Sequence, residues 1–344
     1  MNIAFYSNQL SERGTETALI DYASANEKYL HNKSFIAVPA DKIESKERFE
    51  YLSQKYKIIT FTTIDELKYA LESNKIDLLY AIVDGYTQDI ADQLDGCIPT
   101  FVHCVFSTQR KHGTYYCPIH QFLNSFYHTH YPVLPHIVNS FPECKENLRK
   151  QLGIPDSATV FGSYAGKGSF NIPFVQRTII KTAENNNSIY FIFMNIYDFV
   201  SQLNHEKMNN IIFLPGSTDL VKKATFINTT DAMIHARIDG ETFGLTVAEF
   251  SIMNKPVITY KPNLLSLIKD VIRSYINKRP SYSMAHLINL GRKAITYTNT
   301  RQLYKIFTKF NRSALKKNNY DCFSKYFNSQ KIIYKFYSII KGSK

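Results

Sequence analysis

Two glutamates eight residues apart, Glu241 and Glu249, are the carboxylates of this 344-residue chain whose surroundings best suit chemistry. They lie in the stretch 231–260, DAMIHARIDGETFGLTVAEFSIMNKPVITY, whose pattern predicts strand, loop, helix, strand. The runs 231–236 and 256–260 are short and apolar, as buried strands are. Gly240-Glu241-Thr242-Phe243-Gly244 forms the turn between them, and a helix is predicted over 245–253. At ~1.5 Å rise per residue, Glu249 then lies roughly 7 Å below the helix N-terminus. An anion on the free N–H groups of Phe243, Gly244, Leu245 and Thr246 would have a carboxylate on either side of it.

A sugar nucleotide fits that arrangement. Its diphosphate takes the helix N-terminus, where the macrodipole and unpaired amides favour negative charge. Glu249 can accept two hydrogen bonds from a ribose diol, as acidic residues do in other nucleotide sites. Glu241 faces the transferred sugar, and Gly244 lets the backbone approach the ligand without a side chain between them. Two solvated glutamates are the ordinary alternative for this spacing. Against it stand Ala248 and Phe250, which flank Glu249 in an otherwise apolar helix, where a carboxylate is costly unless paired or bound.

Positioning these residues takes alternating strands and helices. Strands are expected over 3–7, 34–38, 57–61, 77–83 and 100–106, with helices from 15 to about 29 and near 42–53 and 64–71. This rhythm predicts a parallel sheet covered on both faces. The pattern loosens over 109–142, where prolines 132, 135 and 142 interrupt it, and 141–155 has the composition of an interdomain hinge. A second α/β unit begins near 158, with strands over 159–163, 188–196 and 211–214 and helices over 172–184 and 219–226. Beyond 260, helices are expected over 264–276, 300–310 and 320–340, with a last strand over 293–297. The expected domains are 1–140, 141–318 and a C-terminal helix, 319–344, that packs back on the first.

The 241–249 pair resembles the E-x7-E motif of retaining glycosyltransferases of the GT-B fold, especially glycosyltransferase family 4. LSERGTETALIDYA near the start, FVHCVF in the first half and VFGSYAGKGSFNIPFV after the middle carry the same resemblance, which spans residues 1 to about 310. It implies two Rossmann-like domains with parallel sheets facing a central cleft. It also implies transfer of a sugar, without a metal, from a nucleotide-diphosphate donor to a glycan, lipid or protein acceptor. By resemblance, Glu241 supports the oxocarbenium-like state, Gly14 approaches the donor phosphates, and His103 is directed at a hydroxyl of the donor sugar. Lys167 is the natural cation for the diphosphate. Where the family places an arginine just after the strand, this chain has Ser163, so Lys167 and Arg237 would have to compensate or transfer would be impaired. From the residues alone, His103 in an apolar strand reads as a satisfied core histidine, and an ordinary tight turn explains Gly14 equally well; the resemblance brings the donor-sugar role of His103 level with the core one.

Composition narrows the alternatives. No segment approaches the ~20 uninterrupted apolar residues of a membrane span. Five cysteines without C-x2-C spacing indicate neither a disulfide framework nor a zinc site, so a reducing cytoplasm is expected. The histidines at 112, 120, 128, 130 and 136 do not make a helical metal pair, and no D-x-D motif is present. The expectation is no metal and no cofactor, the sugar nucleotide being substrate. The formal charge of +12 favours anionic partners, and the basic, aromatic C-terminal stretch is either a solvated helix face or a peripheral contact with an anionic membrane. Nucleic-acid modification is a competing class, but no binding motif supports it and no specific nucleic acid is expected. A Rossmann-type oxidoreductase would need G-x-G-x-x-G after the first strand, which 11–17 lacks. A relative that binds donor but has lost transfer is the remaining alternative.

Overall fold

The computed structural model describes residues 1–10, 14–280 and 282–342, with 270 and 275 described by backbone alone. The chain divides into two compact units, Met1–Asn139 with Tyr326–Lys344, and Ser140–Lys325.

In the first unit six strands form one sheet: β1 (Asn2–Tyr6), β2 (Lys33–Pro39), β3 (Lys57–Phe61), β4 (Leu78–Val83), β5 (Thr100–Cys104) and β6 (Tyr115–Pro118). Their order is β3-β2-β1-β4-β5-β6 and every pairing is parallel, with Asn2 opposite Lys33 and Ile3 opposite Leu78. Strands covered on both faces must be apolar nearly throughout, and β2, β4 and β5 are buried almost end to end. β6 falls in the stretch where the sequence pattern loosens. It is only four residues long, ends on Pro118 and lies at the sheet edge, where a missing N–H is tolerated.

The helix Ser329–Gly342 belongs to this unit. Its Ile332, Ile333, Phe336 and Ile340 are buried in the core with Tyr22, Tyr80 and Phe101, and the Phe336 and Phe101 rings lie 4.8 Å apart. Four apolar side chains of this size contribute roughly 6–12 kcal/mol of burial before chain entropy is counted. The apolar face of the C-terminal helix is thus committed to the core. Its lysines and Tyr334 lie on the exposed side, the solvated face that was one of the two expectations for this stretch.

His103 also belongs to this core. It is fully buried in β5; its Nδ1 accepts from the Tyr80 hydroxyl at 2.5 Å, and its Nε2–H donates to the Leu134 carbonyl at 2.6 Å. Both ring nitrogens are used, so the expectation that His103 meets the donor sugar is replaced by a packing role. Burial lowers its pKa from 6.5 to about 4, against the opposing pull of the Leu134 hydrogen bond. Gly14 opens the helix Gly14–Leu30 beyond the carboxyl end of β1 and is exposed. The rest of the expected turn, Ser11–Arg13, lies outside the described residues.

The second unit repeats the plan. Its strands are β7 (Thr159–Tyr164), β8 (Ile189–Met194), β9 (Ile211–Leu214), β10 (Ala232–His235), β11 (Gly240–Glu241), β12 (Val257–Tyr260), β13 (Ser283–Met284) and β14 (Ile295–Tyr297). Six form a parallel sheet in the order β14-β12-β10-β7-β8-β9, and β11 pairs separately with β13. Both six-stranded sheets therefore have the Rossmann order, with two strands running outward on one side of the first strand and three on the other. The segment expected as a hinge is tied to this unit. Arg149 and Arg312 both bind the Asp231 carboxylate, at 2.9 and 3.2 Å, and the Leu148 N–H donates to Thr229 Oγ1 at 2.8 Å.

Candidate active site

In an open parallel sheet, ligands bind beyond the carboxyl ends of the strands where the winding direction reverses. In the second unit that point lies between β7 and β10. The loop after β7 (165–172) carries Lys167, and the loop after β10 (236–244) carries Arg237, Glu241, Phe243 and Gly244. The two loops are stitched together. Asn171 N–H donates to the Ala236 carbonyl at 2.9 Å, and Ile238 N–H donates to Asn171 Oδ1 at 2.8 Å. The loop after β8 joins them through Asn195 Nδ2, which donates to the Ala165 carbonyl at 2.9 Å.

Glu241 is held from both sides. The backbone of Gly240 has φ +63°, and a Cβ there would come within 2.2 Å of the Ser283 carbonyl oxygen, so the β11–β13 pairing needs glycine. Ser283 Oγ donates to the Glu241 carbonyl at 2.8 Å. The Glu241 carboxylate accepts from Arg237 Nη1 at 3.0 Å and from His235 Nε2 at 3.4 Å.

Donor and acceptor roles around these groups form a ring. Glu241 N–H donates to His286 Nδ1 at 3.3 Å, which leaves the His286 proton on Nε2. That nitrogen lies 3.2 Å from Thr259 Oγ1 and donates to it, so the threonine hydroxyl donates onward to His235 Nδ1 at 2.9 Å. His235 Nε2–H then points at Glu241. Burial opposes ionisation of Glu241, but the His235 hydrogen bond and the Arg237 charge outweigh it and lower its pKa. Burial and the neighbouring His235 lower the His286 pKa to about 3, with the Glu241 charge opposing. A carboxylate whose ionised form is favoured and fixed by hydrogen-bond donors is what stabilising a developing positive charge requires.

Glu249 sits in the helix Leu245–Ile252, and its two oxygens accept from the buried Tyr164 hydroxyl and from Lys223 Nζ. Burial first, and then the Glu249 charge, raise the Tyr164 pKa, so the phenol stays a donor. The cost expected of a carboxylate in an apolar helix is thus met by pairing. A ribose diol would have to use the second lone pair of each oxygen, since each can accept twice.

The same helix starts abruptly. Gly244, at φ +86°, is its N-cap and supplies no capping side chain. The first helical bond runs from Ala248 N–H to the Gly244 carbonyl at 2.9 Å, so the amides of Leu245, Thr246 and Val247 precede the intrahelical ladder. Phe243 is buried, with its ring 6.0 Å from that of Phe323. Lys167 is exposed and makes no ion pair among the described residues. Ser163 lies inside β7 rather than after it, and is buried.

Eight of the ten residues selected by sequence therefore belong to this one unit, on the loop after β7, on the loop after β10 and on the helix that follows it. His103 and Gly14 belong to the other unit. The sequence reading missed His235, Thr259, His286, Tyr164 and Lys223. Among the described residues, Asp89, Asp92 and His112 are grouped closely enough to hold a metal ion. They are already paired, however: Arg110 binds Asp92, and His112 Nε2 lies 2.6 Å from Asp89.

The buried histidines predict an acid sensitivity. His103 and His286 stay neutral when folded down to about pH 4 and 3, whereas in the unfolded chain they take up protons near pH 6.5. Between those limits the unfolded state binds more protons, so stability is full above about pH 6.5 and falls as pH drops. Each histidine should cost about 1.4 kcal/mol per pH unit in this window. Urea midpoints for each unit that stay constant from about pH 7 to 5 would contradict this.

This geometry can be set against known proteins. No family model matches the chain, and no curated protein matches it in sequence. Solved structures do resemble it. HepE of Anabaena, in complex with UDP and glucose, is 14% identical, with 99% of each chain covered and a TM-score of 0.71. A glycosyltransferase from Rickettsia africae is 13% identical over 99% of this chain and 98% of its own, with a TM-score of 0.60. WaaG, a glycosyltransferase involved in lipopolysaccharide biosynthesis, is 12% identical over 99% of this chain and 100% of its own, with a TM-score of 0.58. At these identities the likeness is one of fold. The fold is α/β and of the GT-B type, with two Rossmann-like domains each built on a six-stranded parallel sheet.

Proposed function

We propose that the chain is a retaining glycosyltransferase that takes its sugar from a nucleotide-diphosphate donor and passes it to a glycan, lipid or protein acceptor. The observation that carries this reading is the placing of Glu241 and Glu249 on either side of an uncapped helix N-terminus at the reversal point of the second sheet. The similar fold of HepE, solved with UDP and glucose, supports the choice of donor.

In this reading the diphosphate sits on the Leu245 and Thr246 amides, with Lys167 and Arg237 as the nearby cations. Glu249 anchors the ribose. Glu241 binds the sugar and faces the positive charge that develops as the glycosidic bond to phosphate breaks. The charge on the departing group is met by protein donors, so the reading requires no metal. A donor-binding protein without transfer is the second reading; it would be favoured if Lys167 were the sole cation of the loop after β7 and proved dispensable.

The experiment is a thermal-shift screen against UDP, GDP, ADP and dTDP. One of them at a hundred times its Kd should add about 2.7 kcal/mol of stability. Glu249→Gln, compared with its own ligand-free melting point, should weaken that nucleotide by roughly 1.5–3 kcal/mol. No shift with any nucleotide would overturn the reading, and unchanged affinity in Glu249→Gln would remove the ribose role.

A further inference from the structure

The helix Leu264–Asn277 in the second unit is built with its apolar face turned outward. Leu264, Leu265, Val271 and Ile276 are each about seventy per cent exposed, and Ile268 and Ile272 about half. At about 100° per residue these six side chains fall within an arc of about 140° along the whole helix. Ser274, on the opposite side, is the buried one, and Ser266 and Leu267 are half-buried. The helix therefore rests on the domain by a mixed, partly polar side and offers a continuous aliphatic stripe to its surroundings. The C-terminal helix is also amphipathic, yet it buries every residue of its apolar core face. Stripes of this size on a free surface mark an interaction site.

Charge identifies the partner. Lys269 and Arg273 are exposed and continue the helix surface directly beyond Ile276, at about 140° and 180° on the same wheel. Lys261 precedes the helix, and Lys278 and Arg279 follow it, all exposed. From 261 to 279 the sequence has five basic residues and one acidic one, within a chain of formal charge +12. An aliphatic stripe bordered by lysine and arginine, in a chain of positive net charge, is the pattern of a helix lying in the plane of an anionic lipid surface. Fourteen residues are too few to span a bilayer, and no described helix is long and apolar enough to cross one.

We propose that Leu264–Asn277 is a membrane-docking helix, laying Leu264, Leu265, Ile268, Val271, Ile272 and Ile276 into the headgroup boundary of an anionic bilayer while Lys269 and Arg273 bind lipid phosphates. This goes beyond the sugar-transfer reading and does not depend on it. The test is co-sedimentation of the full chain with vesicles of phosphatidylglycerol and phosphatidylcholine in equal parts, against phosphatidylcholine alone. The wild type should sediment with the anionic vesicles and release at high salt. Leu265→Gln with Ile272→Gln, both exposed and so harmless to the fold, should weaken binding tenfold or more with no change in melting temperature. Lys269→Gln with Arg273→Gln should likewise remove most of the preference for anionic lipid. Three results would overturn the proposal: no sedimentation, equal binding of wild type and Leu265→Gln/Ile272→Gln, or a dimer in solution that this double variant dissociates. The last would make the stripe an interface between copies of the chain.

Discussion

Glu241→Gln is expected to lower sugar transfer by roughly 10²–10³ while leaving affinity for the free nucleoside diphosphate within about threefold of wild type. The substitution keeps size and hydrogen-bonding shape but removes the charge. That charge is stabilised in advance by Arg237 at 3.0 Å and His235 at 3.4 Å, so it is available in the transition state without rearrangement. Steady-state rates and calorimetry on the same protein separate the two effects. A parallel loss of nucleotide affinity would place Glu241 on the nucleotide, and the division of labour between the two glutamates would fail.

Lys167→Ala has the second large expected effect, on the order of 10²–10³ in turnover, because it removes a cation from the departing diphosphate. Its exposure and lack of an ion pair among the described residues leave the ammonium ready for a ligand. Activity within about threefold of wild type would make 165–168 an ordinary turn with a solvated lysine. Restoring the arginine that the resemblance led one to expect is not a clean complement. Ser163 is buried within β7, beside the strand end and not beyond it, so Ser163→Arg would force a guanidinium into the sheet. The structure predicts a destabilised protein from that substitution, not a faster one.

Much of the architecture was legible because fully covered parallel strands must be apolar throughout. The runs at 78–83 and 100–104, buried almost throughout, carry that signature. β6 was not legible, since four residues ending in proline at a sheet edge bear little of that signature. In the site, the glutamates and the glycines around them were legible from local spacing. The ring through His235, Thr259 and His286 was not, because its members come from separate elements and meet only when β10, β12 and β13 are aligned.

The two strand histidines show the limit most clearly. His103 and His235 each sit late in a short apolar strand, yet one closes a hydrogen bond onto the Leu134 carbonyl in a core and the other faces a carboxylate at the reversal point. Only the neighbours supplied by the fold distinguish them. Similarly, the sequence shows that 264–276 and the C-terminal helix are amphipathic, but not which face each turns inward. The structure buries the apolar face of the second and exposes that of the first.

Hydrogen–deuterium exchange with and without the stabilising nucleoside diphosphate reports where the ligand sits rather than whether it binds. Slowed exchange is expected in two places if the diphosphate sits on the helix N-terminus. One is the first amides of the Leu245–Ile252 helix, which have no intrahelical acceptor; the other is the 165–168 stretch, at the start of the loop that Asn171 ties to the loop after β10. Protection confined to other segments, with the amides of Leu245, Thr246 and Val247 exchanging as in the free protein, would contradict it.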